Sequence, residues 1–462
     1  MILSAMISLD MIGQITSFGG QTFTWLLVFA ALWMIPYGLI TAELGSAFPS
    51  EGGLYEWVSL AFGRLAGNVA TMMYWSINPT WMGGSLAFIS AQCWSNYIYP
   101  MAVGSPGDYG FKAIFIVFCY AITAMPLERS RIVFRIGTYM KLLLTIMFLI
   151  TTVAYGLKFG FKGIGVSGMA PTLAGGLGLA PLLLFSFVGF EVPSQAGDEM
   201  RDPQRDVPRG IAVSGLVSLL AYALPILALL LVLPSSAITG ISGFMAAVET
   251  VFDIYGPASR FLLFVAAMAF ITSLAVTAAA WATGANRALA VAAADGAFYS
   301  CFAKINVRRQ TPERVSFLGA AMALVFMVAG TIFSAGNSAS AFAVVLSIAT
   351  STSMLSLLFV FPAAYRLRLT HPQTPRPYTV PGGLLGMGIA ATITTMWMTL
   401  GSLAAIFPGM LEVWFGLEYP FVEHWGVTRV RFEIFALATL AVLLAIGIIG
   451  FMRGQHFSQR KP

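Results

Sequence analysis

Twelve mostly apolar stretches run almost end to end through this 462-residue chain, at about 1–18, 22–47, 66–99, 112–127, 132–157, 178–197, 210–233, 258–284, 315–335, 340–365, 385–408 and 431–452. Each is near or above the ~20 residues with which an α-helix crosses a bilayer. The first is marginal in length, and the third is long enough to tilt strongly. Strands of a membrane barrel would read as segments of about ten residues in strict alternation, and nothing here alternates that way. Composition removes the soluble alternative. Residues of the AVILMFWYC set make up 58% and charged residues 10%, against roughly 45–50% for a wider apolar set and roughly 25% in globular domains. Mean hydropathy is +0.83. So little charge cannot cover the surface of soluble domains. Disorder, collagen, coiled coil and a disulfide scaffold are excluded as well. The expected fold is an all-α integral membrane domain of about twelve helices covering 1–462.

Basic residues predict the orientation, because Lys and Arg gather in cytoplasmic loops. The connectors after even-numbered stretches, with the tail, hold 18 of the 25 Lys and Arg, grouped at 64, 129–135, 201–209, 287–314, 366–376 and 453–461. The opposite connectors hold Lys112, Lys158, Lys162, Arg260, Arg429 and Arg431, and Lys141 lies inside a stretch. Both termini are therefore expected in the cytoplasm. Basic residues spread over many short loops form no nucleic-acid-binding face. No cleavable leader is expected, since Met1 runs straight into apolar sequence with no basic region before it. Two outer connectors are long, about 158–177 and 234–257, and the second is amphipathic enough for short helices over the outer face. The stretch 285–314 reads as a helix, NRALAVAAADG, followed by a basic loop.

Metal and redox chemistry find little support. Cys93, Cys119 and Cys301 lack any CxxC or Cys/His ligand spacing, and the first two fall inside apolar stretches. His371, His424 and His456 lie in polar connectors. No metal or cofactor is expected. An enzyme reading fails too. The chain has no GxSxG, HExxH or Walker A motif, and no nucleophile accompanies its interior charges, so no catalytic residue is assigned.

Those interior charges are the leading functional candidates, since an ionisable side chain at a helix centre costs about 2.5–3.5 kcal/mol on insertion. They are Asp10, Glu43, Lys141 and Glu191. Glu43, near the end of the second stretch, is expected to pair or to bond a helix end. Lys141 lies about ten residues into the fifth stretch, too deep to reach the surface easily. Glu191 is bracketed by Gly189 and Pro193 in PLLLFSFVGFEVPSQAG. Irregular backbone at membrane depth is tolerated only where it is buried or lines a cavity, and transporters place such breaks at the substrate. The third stretch carries its own expected break at SINPTWMGG, where Tyr74, Trp75 and Trp81 are cavity-lining, core or lipid-facing. Four interior charges cannot line a continuous polar pore, which argues against a channel.

Four segments then resemble one family in order along the chain: ITAELGSAFPSEGGLYEWVSLAFG, FSFVGFEVPSQAGDEMRDPQRDVPRGI, GANRALAVAAADGAFYSCFAKINVRRQTP and FPAAYRLRLTHPQTPRPYTVPGG. They are similar to the second, sixth, eighth and tenth helices, with their exits, of amino acid–polyamine–organocation superfamily permeases. The resemblance implies two inverted five-helix repeats, here about 1–157 and 178–365, plus extra helices at about 385–452. It implies substrate between broken helices one and six, and alternating access. By motif, Phe185 takes the place of the aromatic that closes over substrate. Ser186, Val188 and Gly189 would line the unwound stretch, and Tyr74 matches a third-helix aromatic. Glu191 matches an acidic position tied to pH dependence. Lys141 resembles the lysine that stands where sodium-coupled relatives hold sodium.

The chain departs from the family in its first helix. The family's Gly-Ser-Gly-like motif falls near Ala5, Met6 and Ile7, with no glycine, and the half-helix before it is expected to be missing or reduced. Asp10 then lies just beyond the break, where a carboxylate can meet a substrate amine. The reading is a plasma-membrane secondary transporter of amino acids or related amines, proton-coupled or exchanging. A polyamine or organic-cation permease is the alternative, and a transport-inactive sensor or structural protein of the same fold is a further one. With no cysteine in the 100–111 connector, no disulfide-linked glycoprotein partner is expected.

Overall fold

The computed structural model describes residues 2–161, 166–199, 202–233, 243–333 and 338–458. Residues 162–165 and 234–242 of the two long connectors lie outside the described residues, as do Arg201, Arg460 and Lys461. Among the described residues every regular element is helical, apart from one isolated bridge between Asn306 and Thr311.

In chain order the helices are α1 (Ile2–Met6), α2 (Leu9–Thr16), α3 (Gln21–Ala47), α4 (Leu54–Phe62), α5 (Arg64–Trp81), α6 (Ala87–Tyr97), α7 (Pro106–Thr123) and α8 (Leu127–Phe159). They continue as α9 (Leu173–Ser186), α10 (Pro203–Val232), α11 (Gly243–Phe252), α12 (Ser259–Ala294), α13 (Glu313–Phe333), α14 (Ser338–Thr370), α15 (Gly383–Ile406) and α16 (Arg429–Ser458). Eight helical runs among the described residues are long and apolar enough to cross a membrane, and Leu3–Thr16 and Leu173–Ser186 are shorter apolar runs. A helix satisfies its own backbone, which is what the bilayer interior demands.

Several boundaries differ from the sequence expectation for local reasons. The third stretch is bent rather than broken: α5 continues through a π-helical turn at Met82–Leu86 into α6. Pro79 removes one N–H from the ladder just before that turn, and the wider π turn absorbs the defect. A similar π turn, Ala30–Met34, precedes Pro36 in α3. The helix read at 285–314 is not separate, because α12 runs unbroken to Ala294 and stops before Gly296, whose φ is 69°. The connector 234–257 does hold a short helix, α11. Two more, Met410–Trp414 and Phe421–Trp425, occupy the connector before α16, where composition had not signalled them.

Packing separates inner from outer helices. In the most apolar window of α14, 83% of the residues are buried, against 22% in α16, so α14 is central and α16 presents most of its surface to lipid. One continuous hydrophobic core joins the helices. At the π turn the helices approach closely. A Cβ on Gly83 would lie 2.0 Å from the Ala323 carbonyl oxygen of α13, and one on Gly84 would lie 2.0 Å from Val345 Cγ1 of α14. Small residues allow such backbone contact between membrane helices. Gly83→Ala is therefore expected to destabilise by at least the usual overpacking cost of about 1–3 kcal/mol, because the obstacle is backbone that cannot rotate away. A thermal melt of the detergent-solubilised variant measures it, and an unchanged Tm would contradict this packing.

Candidate functional site

The first apolar stretch is broken at Ile7 and Ser8, between α1 and α2. A short half-helix thus does precede the break, which corrects the expectation that it is missing. Five residues are too few to hold a helix by themselves, and its orphaned C-terminal carbonyls need partners. Each finds one. Lys141 Nζ of α8 donates to Ser4 O at 3.0 Å and Ile7 O at 2.5 Å. Trp281 Nε1 of α12 donates to Ala5 O at 3.0 Å. The Tyr222 hydroxyl of α10 donates to Met6 O at 3.0 Å and accepts from Ser8 N at 3.1 Å, spanning the gap. The third Lys141 bond goes to Thr277 Oγ1 at 2.6 Å. An ammonium has three donors, so Lys141 is fully used in joining α1, α8 and α12. It makes no ion pair among the described residues.

α9 ends at Ser186, and the chain resumes as a 3-10 helix, Val192–Glu199. Between them Gly189 takes φ 136°, and a Cβ there would lie 2.9 Å from Met6 Cγ across the other break. Glycine is required on both counts. Glu191, fully buried, accepts hydrogen bonds from the Tyr37 and Tyr74 hydroxyls, the latter at 2.9 Å. The Tyr37 hydroxyl in turn accepts from Gly189 N at 3.0 Å and Phe190 N at 3.2 Å, satisfying donors freed by the break. Glu191 has no ion-pair partner among the described residues, so hydrogen bonds alone hold its carboxyl group at the core.

The two breaks face each other across a cavity of about 10 Å³, the size of one water. Ala5, Met6, Phe185, Ser186 and Val188 line it, together with Ser8, Met11, Trp81, Tyr222 and Trp281. Phe185 packs edge-on against Trp81, with centroids 5.7 Å apart. Other candidates stand behind this wall. Tyr74 binds Glu191 and packs 5.9 Å from the Trp281 ring. Ile7 contributes its carbonyl to Lys141. Asp10, buried in the first turn of α2, accepts from Trp81 Nε1 at 3.3 Å, while its Oδ1 has no partner among the described residues. Trp75 bonds Asn286 Oδ1 at 2.8 Å and belongs to the core. Sequence reasoning passed over Tyr37, Tyr222, Thr277 and Trp281. Their only signal was a polar atom in an otherwise apolar helix.

Glu43 does pair, at the end of the bundle that carries the C-terminus. It bonds Arg368, lies 3.4 Å from Arg376 Nε and accepts from Val380 N at 2.7 Å. At the same end Tyr55 donates to Asp295, which also takes Arg64 Nε at 2.9 Å, and Arg287 reaches Glu51 at 3.0 Å. Burial raises the pKa of Tyr55, with Asp295 adding to it, so the phenol remains a donor. These pairs bind α3, α4, α12 and α14 together below the two breaks.

The sequence family described as "Amino acid permease" matches residues 1–421. The chain belongs to that family. An "uncharacterized transporter" of Legionella pneumophila is 30% identical over 80% of this chain and 81% of its own length. A "probable agmatine/putrescine antiporter" of Lactococcus lactis is 25% identical over 84% of this permease and 82% of its own length. A polyamine transporter of Arabidopsis thaliana is 21% identical over 83% and 76%. Among solved structures, the manganese transporter of Eremococcus coleocola in complex with an aromatic bis-isothiourea compound superposes with TM-score 0.59 at 13% identity, covering 98% of the permease and 93% of that chain. A variant of the same transporter gives 0.60. At such identity the likeness shows the fold alone. The permease is a multi-pass membrane transporter and not an enzyme.

Proposed function

We propose that this permease moves small organic amines, polyamines or amino acids carrying an amino group, across the plasma membrane by alternating access. The observation that carries the reading is the pair of helix breaks facing each other across a closed cavity, with the free oxygen of Asp10 one side chain behind it. The described helices are compatible with twelve spans: two inverted repeats at about 1–157 and 178–365, then further helices at about 385–452, with both termini cytoplasmic. Phe185, Ser186, Val188, Gly189, Ala5, Met6 and Ile7 form the substrate region, supported by Tyr74. Lys141 and Glu191 couple protons to the movement, in symport or exchange, because each is a buried ionisable group that ties a break to its surroundings: Lys141 bonds Ser4 O and Ile7 O, and Glu191, inside the second break, accepts from Tyr37 and Tyr74. Asp10 favours cationic amines over zwitterions. No disulfide-linked partner is part of this reading.

Reconstitution into proteoliposomes tests it. Uptake of a panel of amino acids and polyamines is expected to exceed that of empty liposomes for at least one amine, driven by a proton gradient or by internal substrate. Folded protein that moves none of them would favour the transport-inactive alternative. Within this reading Phe185 caps the cavity with its ring. Phe185→Ala is expected to lower substrate affinity about tenfold, about 1.4 kcal/mol, while the protein stays folded. Unchanged affinity and rate would remove the ring from the gate.

A further inference from the structure

A second cavity, of about 190 Å³, lies towards the other end of the bundle, among α2, α9, α14, α15 and the segment before α16. Its distinctive wall is Glu412, only 4% exposed, whose Oε2 has no hydrogen-bond partner among the described residues. Thr350 Oγ1 on the facing wall is likewise buried and without a partner. A buried carboxylate oxygen left unpaired is costly. The cations nearby are committed elsewhere. Arg429 donates to Pro408 O at 2.8 Å and lies 3.5 Å from Glu433. His424 donates from Nδ1 to Pro420 O at 3.0 Å.

Aromatic rings complete the wall. Tyr419 stacks on His424 with centroids 5.1 Å apart, and its hydroxyl accepts from Trp425 Nε1 at 2.9 Å. Burial pushes the Tyr419 hydroxyl up to about 12, so the phenol is neutral at physiological pH. Aromatic faces beside a carboxylate suit a cation with apolar substituents.

Two helices run between this cavity and the central one. Gln14 and Ser17 line it. With Asp10 they are spaced i, i+4, i+7 along one face of α2 and its helical C-cap residue Ser17, over about 10 Å of rise. On α9, Leu182 lines this cavity and Phe185, one turn on, lines the central one.

We propose that this cavity binds a small organic ammonium ion, held by Glu412 and the rings of Tyr419 and Trp425, and hands it along α2 towards Asp10. The binding stands by itself; only the onward passage rests on the transport reading. Burial raises the pKa of Glu412 against the weaker pull of His424 and Arg429, the charged or titratable neighbours alongside Tyr419. Binding therefore weakens on acidification, at pH values where an exposed glutamate is still ionised.

The test is calorimetric titration of the full chain in nanodiscs with putrescine at pH 8, alongside an uptake assay. Wild type is expected to bind, and Glu412→Gln to weaken that binding at least tenfold. Asp10→Asn is expected to leave the component that needs Glu412 in place. Thr350→Met, which fills the cavity from α14, is expected to act like Glu412→Gln, and it decides the matter should that variant misfold. Wild type that binds no putrescine, or binding unchanged in both cavity variants, overturns the proposal. Uptake that needs Asp10 while binding ignores Glu412 would remove this site and leave the transport reading intact. Binding that needs Glu412 in a protein that moves no amine would do the reverse.

Discussion

Lys141→Ala is expected to abolish concentrative uptake while leaving the protein inserted and monodisperse. The ammonium spends its three donors on Ser4 O, Ile7 O and Thr277 Oγ1. Removing it orphans one carbonyl of α1 and one in the break after it at about 1–3 kcal/mol each, so the arrangement seen here loses about 2–6 kcal/mol against any in which α1 has moved. A shift of that size moves a two-state ratio more than tenfold. Protonation acts on the same clamp. A neutral amine keeps two donors for three acceptors, so losing the proton frees one of the elements it joins. Measured as proton-driven uptake in proteoliposomes against pH, the variant is expected to be inactive or to have lost the pH dependence of wild type. A wild-type pH profile in Lys141→Ala would refute the coupling role.

The second large effect falls on selectivity. Asp10 has one carboxylate oxygen on Trp81 Nε1 and the other without a partner among the described residues. It makes no ion pair with Lys141, whose donors are spent on backbone and Thr277. No salt bridge therefore holds the carboxylate, and on the proposed reading its partner is a substrate amine. Asp10→Asn keeps the shape and removes the charge. The lost charge-assisted hydrogen bond is worth about 1.5–3 kcal/mol, so competition assays should show affinity for cationic amines falling roughly ten- to 150-fold, with zwitterionic amino acids far less affected. A pH shift common to all substrates would instead tie Asp10 to Lys141. Identical behaviour of variant and wild type would reject both roles.

The membrane class and the four interior charges followed from the sequence, because hydropathy and the cost of a charge in lipid are properties of a residue and its near neighbours. The break at Gly189 was legible for the same reason: a flexible residue and Pro193 bracket a carboxylate within five positions. The resemblance of four motifs implied the pairing of first and sixth helices; in the structure Met6 and Phe185 line one cavity. Other features depended on distant partners. That five residues ahead of Ile7 hold a helix was invisible, since their carbonyls are satisfied from α8, α10 and α12, more than 130 positions away. The partners of Glu43 and Glu191 lie on other helices, and no local pattern names Arg368 or Tyr37. The cavity at Glu412 draws on a connector rich in aromatic and apolar residues, in which no local pattern marks a pocket. Local chemistry decided which segments enter the membrane and where they can bend. Tertiary packing decided which buried charge meets which backbone end, because those distances are set by helices that the sequence places far apart.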